Sequence, residues 1–277
     1  MTEVKIRTLT SFADFDKVVA LQRMVWNHSD LDLTPPRFLH ISVQTGAILL
    51  GAFVGDVLTG FVYSFPAVVG GIRAQHSLQL AVLPEYRGHK IGKSLKVVQR
   101  ETVLRMGYGL ITWTADPLLA RNANLNLHTL GAGVKTYLPD FYKGQPTLSI
   151  APGVPADRLL IEWDLHSKEV EMRLKGNFPD RRDGLISYAL ECVDENIDSF
   201  PKEPDLSLIS EYIGVRIPGD ISRPSADPKT AAGWMKAVRS VLPHYFSKGY
   251  RIVDFMFGGK CGYVLKKSRK EEVRHDD

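Results

Sequence analysis

The segment that most constrains the fold runs from Leu80 to Leu95, where an apolar strand pattern changes to a short polar loop and then to a helical pattern. Pro84 ends the predicted strand, because proline has no amide hydrogen to give to a sheet. After the loop, apolar side chains recur at helical spacing at Ile91, Leu95, Val98 and Met106. The chain must therefore place the beginning of a helix directly behind the end of a sheet strand.

The loop of this segment has the composition of an anion-binding site. The first amides of a helix have no backbone acceptor, and the helix dipole makes that end positive. Gly88 and Gly92 let a ligand approach the main chain closely. Positive charge is added by the side chains of Arg87, Lys90 and Lys93. These features predict a site for an anionic group such as a pyrophosphate.

The remaining pattern predicts an α+β fold, with a mostly antiparallel twisted sheet flanked by helices. A Ser-x-x-Asp sequence at Ser11 predicts the start of a first helix, and residues 27–37, which carry two prolines, are typical of a loop. The dipeptide Gly55-Asp56 between two apolar runs predicts a hairpin. Strands are predicted over residues 4–9, 47–54, 57–68, 75–83, 110–114, 134–137 and 159–165, and a short helix over 121–130.

Charged and turn-forming residues concentrate between His166 and Asp183, which predicts a domain boundary. The chain of 277 residues then divides into a domain over residues 1–166 and a smaller C-terminal α+β domain over residues 167–277. The clearest element of the second domain is a helix that begins at Pro228 and ends before Gly249. This domain either closes over a binding site of the first domain or forms a homodimer, and the sequence does not choose between the two.

Charge and cysteine content exclude several classes of protein. The chain has 35 Lys and Arg residues against 31 Asp and Glu, a net charge of +4, which suits an anionic small ligand but is too evenly spread for a nucleic-acid binder. Its two cysteines, Cys192 and Cys261, are far apart, and its histidines are scattered, so neither a disulfide framework nor a metal site is predicted. The sequence shows no signal-peptide pattern and no apolar run of the ~20 residues that a membrane span needs, so a soluble cytoplasmic protein is expected.

One alternative for the loop is the phosphate-binding loop of nucleotide triphosphatases. Gly92-Lys93-Ser94 resembles the end of that motif, G-x-x-x-x-G-K-S/T, but the motif requires a glycine where this chain has Arg87. The predicted antiparallel strand order also disagrees with the parallel sheet of those proteins. This alternative is therefore disfavoured.

The second alternative is a family resemblance. Val82–Gly92 resembles the acyl-CoA motif of the GNAT superfamily of N-acetyltransferases, Q/R-x-x-G-x-G/A preceded by V-x-P-E-Y. Arg121–Gly131 resembles a later helix of that family, N-A-x-x-x-Y-x-x-L-G. His76–Gly88 and Tyr137–Tyr142 are similar to an uncharacterised bacterial branch that carries a C-terminal extension. The resemblance covers residues 1 to about 166.

The resemblance implies an acyl-CoA-dependent N-acyltransferase, in which a primary amine attacks the thioester directly without a covalent enzyme intermediate. Acetyl-CoA is the default co-substrate and succinyl-CoA an alternative, and the acceptor is a small-molecule amine or an amino acid. No metal, nucleic acid or membrane is implied. A second hypothesis is a non-catalytic acyl-CoA-binding or interaction protein, because two catalytic groups common in the family are missing from the sequence.

The resemblance also implies which residues bind the co-substrate. The strand before the motif binds the pantetheine arm through its main chain, here at Leu80 and Val82, and Asn122 of the later helix contacts the same arm. The loop that would bind the pyrophosphate comprises Arg87, Gly88, His89, Lys90, Ile91, Gly92, Lys93 and Ser94. Lys90 stands where the motif usually has its first glycine. A lysine can still offer its amide in a helical conformation and its ammonium group to a phosphate, whereas a positive φ at this position would strain the backbone.

The catalytic residues of the family are matched less well. Its helix tyrosine, which protonates the departing thiolate, aligns with Leu127, and residues 57–84 contain no Asp or Glu, although relatives often carry a carboxylate base there. His76 is therefore the first candidate base, because an imidazole with a pKa of about 6.5 can take a proton from an ammonium group. Asp116 is the second candidate base. The candidate acids are Tyr137 and Tyr142. Each of the four residues also has a structural alternative: His76 as a hydrogen-bonded strand residue, Asp116 as a turn-forming residue, and the two tyrosines as packing residues.

Overall fold

The computed structural model describes residues 3–26, 29–143, 153–178, 183–194, 199–221 and 227–268. In chain order its elements are β1 (Val4–Thr8), α1 (Phe12–Trp26), α2 (Pro36–Gln44), β2 (Ile48–Val54), β3 (Val57–Val69), β4 (Ile72–Val82), α3 (Ile91–Arg105), β5 (Leu110–Ala115), α4 (Ala120–Ala123), β6 (Gly133–Leu138), β7 (Arg158–Asp164), α5 (Lys168–Leu174), β8 (Ile186–Leu190), β9 (Tyr212–Arg216), α6 (Pro228–Ser247), β10 (Tyr250–Met256) and β11 (Gly262–Lys267). Within the described residues, no helix combines the length and the apolar character that crossing a bilayer requires.

The chain forms two compact units. Unit 1 comprises Met1–Trp113 and Glu162–Lys175, and unit 2 comprises Thr114–Ile161 and Gly176–Asp277. Two of the three boundaries between the units fall inside the strands β5 and β7, and the third follows α5.

The sheet of unit 1 is mostly antiparallel. Its strands follow the order β1, β2, β3, β4, β5, of which the first four pair antiparallel and β4 pairs parallel with β5. The hairpin predicted at Gly55-Asp56 is confirmed, and Gly55 has a φ of +58°, a conformation that glycine adopts without steric cost. Together with the flanking helices, this pairing confirms the predicted α+β class.

The first helix of unit 1 buries one apolar face against the sheet. Phe15 and Leu21 of α1 are completely buried and lie in one cluster with Phe61 of β3. The predicted helix start is also confirmed, because the amide of Asp14 donates to Ser11 Oγ over 3.1 Å. That bond satisfies one of the donors that a helix start leaves without a partner.

The second helix corrects part of the predicted loop over residues 27–37. Helix α2 begins at Pro36, in the first helical turn, where the missing proline amide costs nothing. Its Leu39 is completely buried, so packing against the core fixes the helix. Residues 27 and 28 of the predicted loop lie outside the described residues.

The strand β4 is irregular at the position that later forms the candidate site. Tyr63 of β3 pairs with Gln79 and Ser64 pairs with Ser77, so that Leu78 has no partner in β3 and forms a β-bulge. On its other side, β4 pairs with β5 only at Gln75 and His76. The two parallel strands therefore separate from Ser77 onward, and we call the space between them the β4–β5 gap.

Unit 2 holds a second set of strands and the longest helix. Its strand order is β6, β10, β11, β9, β8, with β8 and β9 parallel and the other pairs antiparallel. The predicted helix is confirmed as α6, which begins at Pro228 behind the N-cap Asp227 and is followed by Gly249 with a φ of +82°. The predicted helix over residues 121–130 is present as α4 followed by a π-helical turn over Asn124–Thr129.

The predicted domain over residues 1–166 does not coincide with either unit. The reason lies in a strand pairing within unit 2, where Val134 of β6 pairs with Ile252 of β10. Residues 114–161 are thereby grouped with the C-terminal part of the chain. Conversely, α5, which the predicted boundary assigns to the second domain, belongs to unit 1. The boundary at residue 166 stays a prediction from the sequence.

Candidate functional site

The loop behind β4 begins with a tight turn. Residues Pro84–Tyr86 form one turn of 3-10 helix, in which the amide of Arg87 donates to the carbonyl of Pro84 over 3.2 Å. The Arg87 side chain folds back, and its Nε donates to the carbonyl of Val82. The Arg87 amide is thus already occupied, and the predicted pyrophosphate loop is shortened by this residue.

The amides that follow form the core of the candidate site. Within the described part of the chain, no backbone acceptor is found for the amides of residues 88–93, and no side chain caps the beginning of α3. The first hydrogen bond of the helix runs from the Ser94 amide to the Lys90 carbonyl over 3.0 Å. A row of unsatisfied donors at the positive end of a helix of this length is the arrangement that binds phosphate groups. We call residues 88–93 the amide loop.

The backbone of the amide loop is strained at one position. Gly88 has a φ of +84° and Lys90 a φ of +61°, so both are left-handed. Of the two conformations considered for Lys90, the structure has the strained one. The chain must reverse between the extended Arg87 and the first residue of α3, and Lys90 takes the conformation that the glycine of the motif would supply. For a residue other than glycine this costs about 1–2 kcal/mol.

Lys90→Gly is expected to raise the free energy of unfolding by about 1 kcal/mol, because glycine adopts the left-handed conformation without a clash. The matched variant, Gly88→Ala, is expected to lower it by a similar amount. A Cβ at Gly88 would meet no atom within 4 Å, so that only backbone strain changes. Urea unfolding of both variants measures these effects. Equal stability of Lys90→Gly and the unchanged protein would contradict the strain at Lys90.

The side chains of the loop offer less positive charge to an anion than the sequence predicts. Lys93 Nζ donates to the carbonyl of Leu174 at the end of α5, 3.4 Å away, so its charge is engaged within unit 1. The His89 ring bonds to carbonyls of its own loop through Nδ1. Ser94 is exposed. Anion binding here would therefore depend on main-chain amides, with Lys90 and Arg87 as the exposed cations.

His76 is the last residue of β4 that pairs with β5. Its partner in β5 is Thr112, and Nδ1 lies 3.1 Å from Thr112 Oγ1. Its ring is partly buried beside Phe65. In the tautomer whose Nδ1 donates to the hydroxyl, Nε2 carries the lone pair that a base requires. Burial, and secondarily the positive charge of Lys96, lowers the pKa of His76 below its usual value of 6.5.

Sequence reasoning missed Lys96, the most unusual group near His76. Its side chain is completely buried in unit 1, and burial lowers its pKa from 10.5 to about 7. Nζ lies 3.2 Å from Ser77 Oγ and 3.9 Å from the centre of the Trp113 ring. The ring of Trp163 lies 5.4 Å away. Trp113 and Trp163 are core residues, and they also enclose the amino group of Lys96.

The protonation of His76 offers a direct check of this arrangement. We expect a titration midpoint below 6.5 in the nuclear magnetic resonance spectrum of the ring, so that the imidazole is neutral at pH 7. Lys96→Met should raise the midpoint, because it removes a positive charge that disfavours the imidazolium. Lys168→Met, which removes an exposed lysine of α5, is the control and should leave the midpoint unchanged. A midpoint that Lys96→Met does not move would contradict the electrostatic contact.

In unit 2, Asp116 and Tyr142 lie around one arginine. Asp116 is buried, its Oδ1 accepts from the Leu118 amide, and its Oδ2 lies 3.4 Å from Arg158 Nη1. Burial raises the pKa of Asp116 to about 6, against the opposing effects of the Leu118 amide and Arg158. The Arg158 guanidinium lies over the ring of Tyr142, whose hydroxyl is 3.4 Å from Thr114 Oγ1. Asp116 therefore stabilises a turn through the Leu118 amide, as the structural alternative expects, and also has a pKa that would suit a base.

Tyr137 belongs to a different cluster of unit 2. Its hydroxyl donates to the completely buried Asp157, which also accepts from the guanidinium of Arg239. Burial and the hydrogen bond to Asp157 raise the pKa of Tyr137 far above its usual range. Its proton is therefore committed to Asp157. The geometry favours the structural alternative for this tyrosine.

The predicted site residues thus fall into two groups. Unit 1 contains His76, Leu80, Val82 and the residues from Arg87 to Ser94, and unit 2 contains Asp116, Asn122, Tyr137 and Tyr142. Asn122 is exposed on α4, and Leu127 is completely buried. A cavity of about 340 Å³ in unit 2, which Arg216 and Trp234 help to line, contains none of the predicted site residues. No group of three or more metal-ligating side chains occurs among the described residues.

Comparison with known proteins gives matches only among solved structures. No family model matches the chain, and no curated protein does. The ribosomal-protein-S18-alanine N-acetyltransferase from Escherichia coli is 13% identical, with a TM-score of 0.47 over 60% of this chain and 96% of that one. A GNAT family acetyltransferase from Elizabethkingia anophelis with acetyl-CoA bound is 14% identical, with a TM-score of 0.46 over 58% and 97% of the two chains.

A third solved structure is the PaiA N-acetyltransferase from Thermoplasma acidophilum in complex with coenzyme A. It is 18% identical, with a TM-score of 0.41 over 58% of this chain and 99% of that one. These neighbours are named as acetyltransferases, and two of the solved structures found are named as GNAT family members. At identities of 13%, 14% and 18%, the similarity of the three structures concerns the fold alone.

Proposed function

We propose that the protein is an acyl-CoA-dependent N-acyltransferase that transfers an acyl group to the primary amine of a small molecule. The observation that carries this proposal is the amide loop, a row of unsatisfied donors that directly follows a strand separated from its parallel neighbour. A pyrophosphate and an extended, amide-containing arm would satisfy these two features together. The motif resemblance of the same residues supports the assignment.

The loop has room for a pyrophosphate. A Cβ added at Gly88 meets nothing within 4 Å, so the face of the loop at this glycine is open. The amides of residues 88–93 would donate to phosphate oxygens, and the helix dipole would favour their charge. The main chain of Leu80, on the β4 edge that faces the gap, would bond the pantetheine arm. The carbonyl of Val82 already accepts from Arg87, so this residue would contribute mainly through its amide.

The proposed chemistry is a direct transfer. The nitrogen of a neutral amine attacks the thioester carbonyl, the carbon–nitrogen bond forms, and the carbon–sulfur bond breaks. His76 Nε2 accepts the proton that the amine nitrogen loses, and the CoA thiolate leaves and takes up a proton. His76 suits this role because its lowered pKa keeps it neutral at pH 7. Most of the rate would come from holding two substrates together.

Other groups remain as secondary proposals. Asp116, with a pKa of about 6, is ionised at neutral pH and is the alternative base. Tyr142 is the remaining candidate acid, since the proton of Tyr137 is committed to Asp157. Neither is needed for the transfer itself, because a thiolate is a good leaving group and water can protonate it.

Two observations favour a non-catalytic acyl-CoA-binding protein instead. The position of the family tyrosine is occupied by Leu127, which is buried and has no proton to give. The strands β3 and β4 also carry no carboxylate. This second candidate predicts binding without turnover.

The test measures free thiol released from acetyl-CoA and succinyl-CoA in the presence of a panel of small amines and amino acids. We expect at least one amine to accelerate release above the rate of hydrolysis. Mass spectrometry of the acylated amine confirms the product. Tight binding of acyl-CoA with no acceleration by any amine would select the non-catalytic alternative, and no binding would refute both.

A further inference from the structure

Lys96 lies at the inner end of the β4–β5 gap. The last paired residues of the two strands are His76 and Thr112, and the residues that follow them directly are Ser77 and Trp113. Lys96 Nζ contacts both, at 3.2 Å from the Ser77 hydroxyl and 3.9 Å from the centre of the Trp113 ring. The ammonium group is therefore placed where the strands begin to separate.

In the part of the chain that the structure describes, this ammonium group has no counter-ion. Within the described residues, the polar contact found for Lys96 is the neutral hydroxyl of Ser77, and no carboxylate pairs with it. Gln99 shares that hydroxyl, since its Nε2 donates to Ser77 Oγ over 3.2 Å. Two indole rings offset part of the cost of burying the charge. A buried charge is ordinarily paired, and an isolated one loses its proton readily instead, which agrees with its lowered pKa.

The direction of the gap connects Lys96 with the amide loop. The edge of β4 that faces the gap runs from Val82, next to the loop, back to Ser77. Five residues of a strand span about 16 Å. An acyl-CoA that is held at its pyrophosphate by the loop and extends along this edge would bring its acyl end toward Lys96.

We propose that the acyl donor is a CoA thioester of a dicarboxylic acid, of the succinyl-CoA type, and that its distal carboxylate binds the Lys96 ammonium group. This inference rests on the proposed function and adds the class of the acyl group. The carboxylate supplies the missing counter-ion, and Ser77 stays bonded to Gln99. An acetyl group would leave the ammonium without an anion.

Calorimetric titration of the full chain without an acceptor amine tests this proposal. We expect succinyl-CoA to bind roughly tenfold to a hundredfold more tightly than acetyl-CoA, the range for a hydrogen bond to a buried charge. Lys96→Met should remove the preference while acetyl-CoA still binds. The control variant Lys168→Met, at an exposed lysine of α5, should keep the preference for succinyl-CoA.

Proton uptake gives a second readout that does not depend on any variant. Because burial lowers the pKa of Lys96 to about 7, part of the protein carries a neutral Lys96 at pH 7, and a bound carboxylate would favour its protonated form. Titrations at pH 7 in two buffers of different ionisation enthalpy should show net proton uptake with succinyl-CoA and less uptake with acetyl-CoA. If Lys96→Met does not fold, the difference in proton uptake and the difference in affinity between the two thioesters, both measured on the unchanged protein, still test the proposal.

The outcomes separate the two proposals. Equal affinity for both thioesters overturns the dicarboxylic donor but leaves the N-acyltransferase intact. A preference that persists in Lys96→Met also overturns it, because the carboxylate would then bind elsewhere. If neither thioester nor free CoA binds, the proposed function fails, and this inference with it.

Discussion

Gly92→Glu is expected to weaken the binding of acetyl-CoA at least about a hundredfold. Gly92 is the second residue of α3, inside the amide loop. A carboxylate there would meet the pyrophosphate, and two like charges 4 Å apart repel by about 4 kcal/mol near a protein surface. A hundredfold loss corresponds to about 2.8 kcal/mol, so even a partly screened repulsion reaches it. Calorimetric titration with acetyl-CoA measures the effect.

The matched control is Gly92→Gln, which adds nearly the same volume without the charge. We expect it to retain most of the affinity, so that the difference between the two variants isolates electrostatics from size. A glutamate in the first turn of a helix is favourable for the helix itself. Gly92→Glu should therefore unfold at a temperature no lower than Gly92→Gln does. Unchanged affinity in Gly92→Glu would mean that the anion does not bind at the amide loop.

His76→Gln is expected to lower kcat/KM by ~10²–10⁴-fold, the usual contribution of a general base. Glutamine can keep the contact with Thr112 but cannot accept a proton at neutral pH. The dissociation constant of acyl-CoA should not change, since His76 lies in the middle of β4, away from the amide loop. For the unchanged protein, activity should fall only below pH 6.5, because the lowered pKa of His76 keeps the base neutral down to that range.

Thr112→Val serves as the control for His76, because it removes the hydroxyl that contacts Nδ1 and keeps the imidazole. We expect a loss of a few-fold and a shifted pH profile, measured by thiol release with the best amine. Full activity of His76→Gln would exclude His76 as the base. In that case Asp116→Asn becomes the decisive variant, since burial raises the pKa of the Asp116 carboxyl group to about 6.

Local sequence signals predicted the parts of the fold that depend on few neighbours. The strand, loop and helix around Gly88 follow from proline, glycine and apolar spacing alone, and α6 follows from its cap at Asp227. The helix α2 was missed because two prolines suggested a loop, although the second one is favourable in a first helical turn. The helix α5 was missed because its segment is charged and contributes few buried side chains, Val170 among them.

The sequence predicted the backbone of the candidate site, namely the strand, the loop and the helix start. It did not predict which charged side chains are buried near it. A lysine on the polar side of a helical pattern is normally solvated, and nothing local distinguishes Lys96 from such a residue. Its burial depends on Trp113 and Trp163, which reach it from other parts of the chain. The contact between Asp157 and Arg239 spans 82 residues of sequence. Such pairs become visible only when the tertiary structure brings them together.

The carboxylate of Asp157 has a consequence for how far the chain can be shortened. A fragment that stops at residue 166 would keep this completely buried anion but lose the guanidinium of Arg239 that neutralises it, and β6 would lose its neighbour β10. Uncompensated buried charges typically cost 3–5 kcal/mol, a large fraction of the total stability of an ordinary domain. Residues 167–277 are thus not a removable extension, because Asp157 and β6 depend on them for a compensating charge and a neighbouring strand.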